Sequence, residues 1–73
     1  PERMILKDEI EKTVASAIDE LPDDLKTAIT LRELEGLSYE EIAQAMECPI
    51  GTVRSRIFRA RDAIDTKLKP LLD

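Results

Sequence analysis

A short helix that Ser38 starts and a tight connection after Met46 ends constrains this chain more than any other feature. In Ser38-Tyr-Glu-Glu41 the Ser38 hydroxyl and the Glu41 carboxylate can each satisfy a free backbone N–H, the reciprocal arrangement of a capping box. Leu37 and Ile42 flank it at the spacing of a hydrophobic staple. The segment runs on through Ala43 and Met46 and then meets Glu47-Cys48-Pro49-Ile50, which leaves room for about two turns. A helix that short has no stability of its own and must be packed. A second helical pattern follows from about Ile50 to Leu68 or beyond, with Pro70 expected to mark its end. Two helices joined by about four residues make a helix-turn-helix, here over residues 38–68.

The residues between these signals fit that geometry. Ala43 is small where the two helices cross closely. Ile42 and Met46 point inward, and Val53 and Ile57 meet them from the second helix. Cys48 occupies a turn position that is normally apolar, so it reads as a buried free thiol acting as a small hydrophobe. Glu47 stands where many such motifs place Gly, and a left-handed turn there costs a non-Gly residue roughly 1 kcal/mol.

Upstream, two more helices are expected, giving an all-α, four-helix domain over residues 1–73. From about Arg3 to Glu20 a stripe of Leu6, Ile10, Val14, Ala17, Ile18 and Leu21 recurs at helical spacing. Pro22 breaks it, because proline disfavours helical geometry in the residue before it. The next helix starts at Pro22 or Asp23, with Asp23 and Asp24 complementing the positive end of its dipole. Leu25, Ala28, Ile29 and Leu31 supply its buried side, and Gly36 ends it as a left-handed cap with Leu37 folding back on Leu31. A chain of 73 residues with two glycines, one Tyr and one Phe fits this reading. A core of that size is marginal, so the domain is expected to lean on a partner. Because it begins with Pro1 rather than Met, it reads as a piece of a longer protein.

There is one cysteine and no histidine. That removes a disulfide framework, a zinc site and any Ser-His or Cys-His pair. Sixteen carboxylates could supply an acid/base pair, but the chain is too short to build a cleft around them and has no Gly-rich phosphate loop. An enzyme is not expected, nor a cofactor. No apolar run approaches the roughly 20 residues of a membrane span and no signal peptide is visible, so direct membrane insertion is not expected and a cytosolic setting is allowed.

The net charge of −5 looks wrong for a nucleic-acid binder, but its distribution matters more. Residues 1–50 carry five Lys/Arg against 13 Asp/Glu, whereas residues 51–73 carry six against three. Arg54, Arg56, Arg59 and Arg61 follow one another with no acid among them to pair with, which favours an anionic partner over a merely solvated face. At roughly 100° per residue, Val53, Ile57, Ala60 and Ile64 form the core face of this helix. Ser55, Phe58, Arg59 and Asp62 lie opposite, with Arg54 and Arg61 on one flank and Arg56 on the other. An outward Phe58 reads either as packing against another domain or chain, or as apolar contact with a thymine methyl or sugar in the major groove. Recognition helices read bases with their N-terminal residues, where the arginines begin. Thr52 beside Gly51 reads as a cap, as a phosphate contact, or as both.

Three runs, Leu-Pro-Asp-Asp-Leu (21–25), Leu-Arg-Glu-Leu-Glu-Gly-Leu-Ser-Tyr-Glu-Glu-Ile-Ala (31–43) and Cys-Pro-Ile-Gly-Thr-Val-Arg-Ser-Arg-Ile-Phe-Arg-Ala-Arg (48–61), carry a likeness to a known family. The segment from Leu21 to Pro70 resembles region 4 of extracytoplasmic-function sigma factors, especially the sigma-E type. The first 20 residues look like the end of the linker and the opening helix of that region. The resemblance implies recognition of the promoter −35 element, with a GGAAC-like core, as a subunit of RNA polymerase in the bacterial cytoplasm, on the nucleoid. By position it implies that Arg54, Ser55, Phe58 and Arg59 face bases or their sugars. Arg32, Tyr39, Thr52, Arg56 and Arg61 become phosphate contacts or flank supports. It further implies docking to the flap of the polymerase β subunit through an apolar groove of the first helices, and an anti-sigma factor that covers overlapping surfaces. The acidic first half predicts weak DNA binding by the domain alone, with tethering to polymerase supplying the rest.

Two other readings stay open on sequence. The output domain of a LuxR-type response regulator shares the Ile-Ala and Thr-Val spacing, but such domains usually dimerise on inverted repeats. A protein-interaction module would use the basic helix against an acidic partner, and steep weakening of DNA binding by salt would count against it.

Overall fold

The computed structural model describes residues 2–72, with side chains from Leu6 onward. Four helices follow in order: α1 Glu2–Asp19, α2 Asp23–Glu33, α3 Tyr39–Met46 and α4 Ile50–Leu72. No strand occurs among the described residues.

Each boundary has a local cause. Pro22, at φ −55°, is the N-cap of α2, and Asp23 and Asp24 fill its first turn. Gly36 is left-handed at φ +71°, a conformation glycine adopts without steric cost. The chain thereby turns back so that the Leu37 N–H reaches the Leu31 carbonyl at 3.1 Å. The capping box of α3 is complete: the Glu41 N–H donates to Ser38 Oγ at 3.1 Å and the Ser38 N–H to Glu41 Oε1 at 2.9 Å. Glu47 ends α3 in the left-handed region, at φ 52° and ψ 50°. The Cys48 N–H then closes the turn on the Ala43 carbonyl at 3.0 Å.

α4 is the hub, packed against all three other helices. Val53, Ile57 and Ala60 are fully buried on it, against Ala28 and Ile29 of α2, Ile42 of α3 and Leu21 at the first corner. Ile64, Met46, Leu37, Leu31 and Leu25 pack around this centre. Burial of a side chain such as Ile42 is worth about 1.5–3 kcal/mol, more than the roughly 1 kcal/mol typical of a cap. Packing therefore holds the eight residues of α3 in place, and the box decides where they begin.

Three expectations need correction. Pro70 does not end α4, which continues to Leu72 with Pro70 inside it. So near the end a proline removes a single bond, the one its missing N–H would make to the Thr66 carbonyl, and the last turn survives. Cys48 is a free thiol but only half-buried. It touches the core and leaves one side toward Arg56. The α1 stripe is covered only at its C-terminal end: Ala17 and Leu21 are buried, Val14 and Ile10 are half-buried and Leu6 is exposed.

Candidate nucleic-acid interface

Anchored by its three buried residues, α4 turns its opposite side to solvent. Arg54, Phe58, Arg59, Arg61 and Asp62 are exposed there, while Thr52, Ser55 and Arg56 are half-buried. Phe58 keeps 72 % of its surface in water, although nothing in the core would prevent a polar residue at that place. Two clefts flank the ridge made by these side chains. On one side Arg54, Phe58 and Arg61 meet Tyr39 from α3, with Asp62 and Asp65 closing the C-terminal end. On the other, Thr52, Ser55, Arg56 and Arg59 line a polar hollow with Gly51 and Asp24. The α4 residues expected to face bases or to flank them thus run from Thr52 to Arg61, about two and a half turns of one helix, with Tyr39 beside them on α3 and Arg32 on α2.

The arginines are not equivalent. Arg61 Nη2 donates to Glu33 Oε1 of α2 at 2.6 Å. That bond raises the Arg61 pKa above its ordinary value, with the Glu33 charge and Tyr39 adding to it and burial opposing. Arg56 Nε lies 3.7 Å from Asp24 Oδ2, and its Nη1 lies 3.7 Å from Cys48 Sγ and 4.0 Å from Met46 Sδ. Arg54 and Arg59 form no ion pair among the described residues. The expectation of arginines without carboxylates to pair with therefore holds along the helix and fails across the fold, because α2 supplies an acid to every second one. Neither Asp24 nor Glu33 was singled out as a partner from sequence, since both lie far from α4 along the chain.

The remaining sequence candidates have defined positions. Arg32 Nη1 donates to the Leu37 carbonyl at 2.9 Å, and its guanidinium stacks 5.1 Å from the centre of the Tyr39 ring. It braces the corner between α2 and α3. Thr52 is the third residue of α4, and its N–H bonds the Pro49 carbonyl at 3.0 Å. The capping reading of its side chain fails, because Pro49 already occupies the position before the helix and the Thr52 hydroxyl makes no hydrogen bond among the described residues. Its hydroxyl points from the first turn, where N–H groups lack acceptors within the helix.

An apolar groove lies between α1 and the end of α2, lined by Ile10, Val14, Ala15, Ile18 and Leu34. It continues toward Ile29 and Ile64, with Glu33 and Arg61 on its wall. Leu34, at the end of α2, is 73 % exposed. No cluster of metal-ligating side chains occurs among the described residues, and no described helix is long and apolar enough to cross a membrane.

A short capped helix, a left-handed turn and a basic helix with an open outer face make this a helix-turn-helix domain of the DNA-binding kind. Comparison with known proteins is more specific: residues 11–64 match the family described as Sigma-70, region 4, and the chain belongs to that family. It is 69 % identical over 72 residues to the RNA polymerase sigma-H factor of Pseudomonas aeruginosa, which covers 99 % of this chain and 37 % of that protein. It is 64 % identical over 72 residues to the ECF RNA polymerase sigma-E factor of Haemophilus influenzae and 62 % to that of Escherichia coli, again over 99 % of this chain and 38 % of each relative. The chain thus spans less than two-fifths of the length of these relatives, and it corresponds to region 4 of an extracytoplasmic-function sigma factor.

Proposed function

We propose that this domain recognises the −35 element of promoters by laying the N-terminal half of α4 in the major groove. The observation that carries the proposal is the pair Arg54 and Arg59, which form no ion pair among the described residues and stand either side of an exposed Phe58 on a helix fixed by Val53, Ile57 and Ala60. Arginine reads guanine through two parallel hydrogen bonds, and an apolar side chain reads the thymine methyl. Arg54, Ser55, Phe58 and Arg59 take the base side, on a GGAAC-like core. Thr52, Arg56 and Arg61 reach phosphates, with Arg32 and Tyr39 supporting the flank.

In the whole protein this domain would work as part of RNA polymerase, in the bacterial cytoplasm on the nucleoid. The exposed apolar groove between α1 and α2 supports docking to the flap of the polymerase β subunit, and an anti-sigma factor would cover the same surfaces. The test is fluorescence anisotropy with a short duplex carrying GGAAC and a scrambled one, at low and moderate salt. The expected result is weak binding that prefers GGAAC, with the preference lost in Arg54→Ala or Arg59→Ala. Equal binding to both duplexes by the unaltered chain would sink direct base reading by the domain alone.

A further inference from the structure

Two carboxylates of α2 hold two arginines of the proposed DNA-facing helix: Glu33 holds Arg61 at 2.6 Å and Asp24 holds Arg56 at 3.7 Å. We propose that Glu33 and Asp24 are internal competitors for DNA phosphate, which lower the sequence-independent part of the domain's affinity. The inference rests on the DNA-binding reading and adds to it a role for two acidic residues outside the motif.

The geometry suits competition rather than rigid structural pairing. The Arg61 and Glu33 side chains are each about half exposed, at 50 % and 49 %. Asp24 is likewise 50 % exposed, while Arg56 is less so at 24 %, and at 3.7 Å their contact is looser than a hydrogen bond. Exposed ion pairs of this kind are weak and screened by salt, so a phosphate can displace the carboxylate. Displacement has a cost, however, because the carboxylate is left close to the DNA. An arginine that must first give up a carboxylate gains less from a phosphate than a free one. The same acids leave Arg54 and Arg59 untouched. The direct pairing therefore falls on the flanks of the helix and not on the arginines assigned to bases. Asp24 also lines the hollow that contains Thr52, Ser55 and Arg59, so its charge faces any backbone entering there.

Simple loss of negative charge must be separated from release of a particular arginine. Glu35 gives that separation: it lies two positions from Glu33, is exposed, and forms no ion pair among the described residues. Glu33→Gln, Asp24→Asn and Glu35→Gln would be titrated with the matched and scrambled duplexes between about 50 and 200 mM salt. Glu33→Gln would also be made in an Arg61→Ala background, and Asp24→Asn in an Arg56→Ala background. Circular dichroism checks that each variant is folded.

The expected result is tighter binding of both duplexes by Glu33→Gln and Asp24→Asn, with the ratio between duplexes unchanged. Each freed arginine that neutralises one phosphate steepens the logarithmic salt dependence by about 0.9, which is about a 3.5-fold greater loss between those salt concentrations. Glu35→Gln should leave the slope unaltered. Each gain should vanish when the matching arginine is already alanine. Slopes no steeper than that of Glu35→Gln, or gains that persist without the arginine, would overturn the proposal and reduce the effect to net charge. Loss of duplex preference with the slopes behaving as expected would count against base reading alone. Absence of binding to either duplex in every variant would overturn both.

Discussion

Arg59 and Arg61 stand on the same helix, two residues apart, and face different chemistry. Arg59 and Arg54 are exposed and form no ion pair among the described residues, whereas Arg61 and Arg56 are met by Glu33 and Asp24 of α2. The charge is identical in all four, so the difference lies in what the rest of the fold brings to them. It teaches that the positive charge of a recognition helix is not a sum over its sequence. Here the acidic first half of the chain pairs with the flanking arginines and not with Arg54 or Arg59.

The largest effect should come from breaking the unpaired class. Arg59→Ala is predicted to cost roughly 1–3 kcal/mol on the matched duplex and far less on the scrambled one, read as the ratio of anisotropy midpoints. Equal losses on both would mean that Arg59 touches phosphate and that the division between the two classes is wrong.

A change remote from both classes should leave the contrast standing while weakening the fold. Ser38→Ala is predicted to lower stability by about 1 kcal/mol in thermal or urea unfolding, with the ratio between duplexes unaltered. The same cap carries a pH signature. The Ser38 backbone N–H, and after it the Ser38 hydroxyl, hold the Glu41 pKa below its ordinary value. A carboxyl with a lowered folded-state pKa contributes stability that is fully present above its unfolded pKa and is lost as pH falls through the folded one. Acid titration should therefore destabilise the unaltered chain in that window more than Glu41→Gln. Equal acid sensitivity of the two would remove Glu41 from the linkage.

The smallest effect belongs to the paired class. Arg61→Ala is predicted to weaken both duplexes alike and to make the salt slope shallower by less than the full unit of a free arginine, because Glu33 already claims part of its charge. Its ion pair is exposed, so the accompanying loss of stability should stay within about 1 kcal/mol. A full unit of slope would show that Glu33 exerts no competition.

Most of the backbone was legible in the sequence because its signals are local. Ser38 and Glu41, Gly36 with Leu37, and the Leu21-Pro22 break each act over a few residues, and each does in the fold what its chemistry demands. The left-handed Glu47 was legible too, since the turn leaves no other conformation to that position. The outward side of α4 followed from the buried spacing of Val53, Ile57 and Ala60. What escaped was non-local or conditional. Asp24 and Glu33 read as ordinary helix acids until α2 is packed beside α4. Pro70 reads as a stop only where the bond it removes is one the helix needs. Exposure of Leu34 and Leu6 depends on where neighbouring helices end, which periodicity does not encode.

Tyr39 is the chain's one tyrosine, and there is no tryptophan. Its ring is stacked under Arg32 and lines the same cleft as Arg54, Phe58 and Arg61. Apart from the weak contribution of Phe58, the molecule's ultraviolet emission therefore comes from one place, the corner where α2, α3 and the basic helix meet. The bracing of that corner thus gives the domain a built-in optical reporter, which follows the arginines around it without any attached dye.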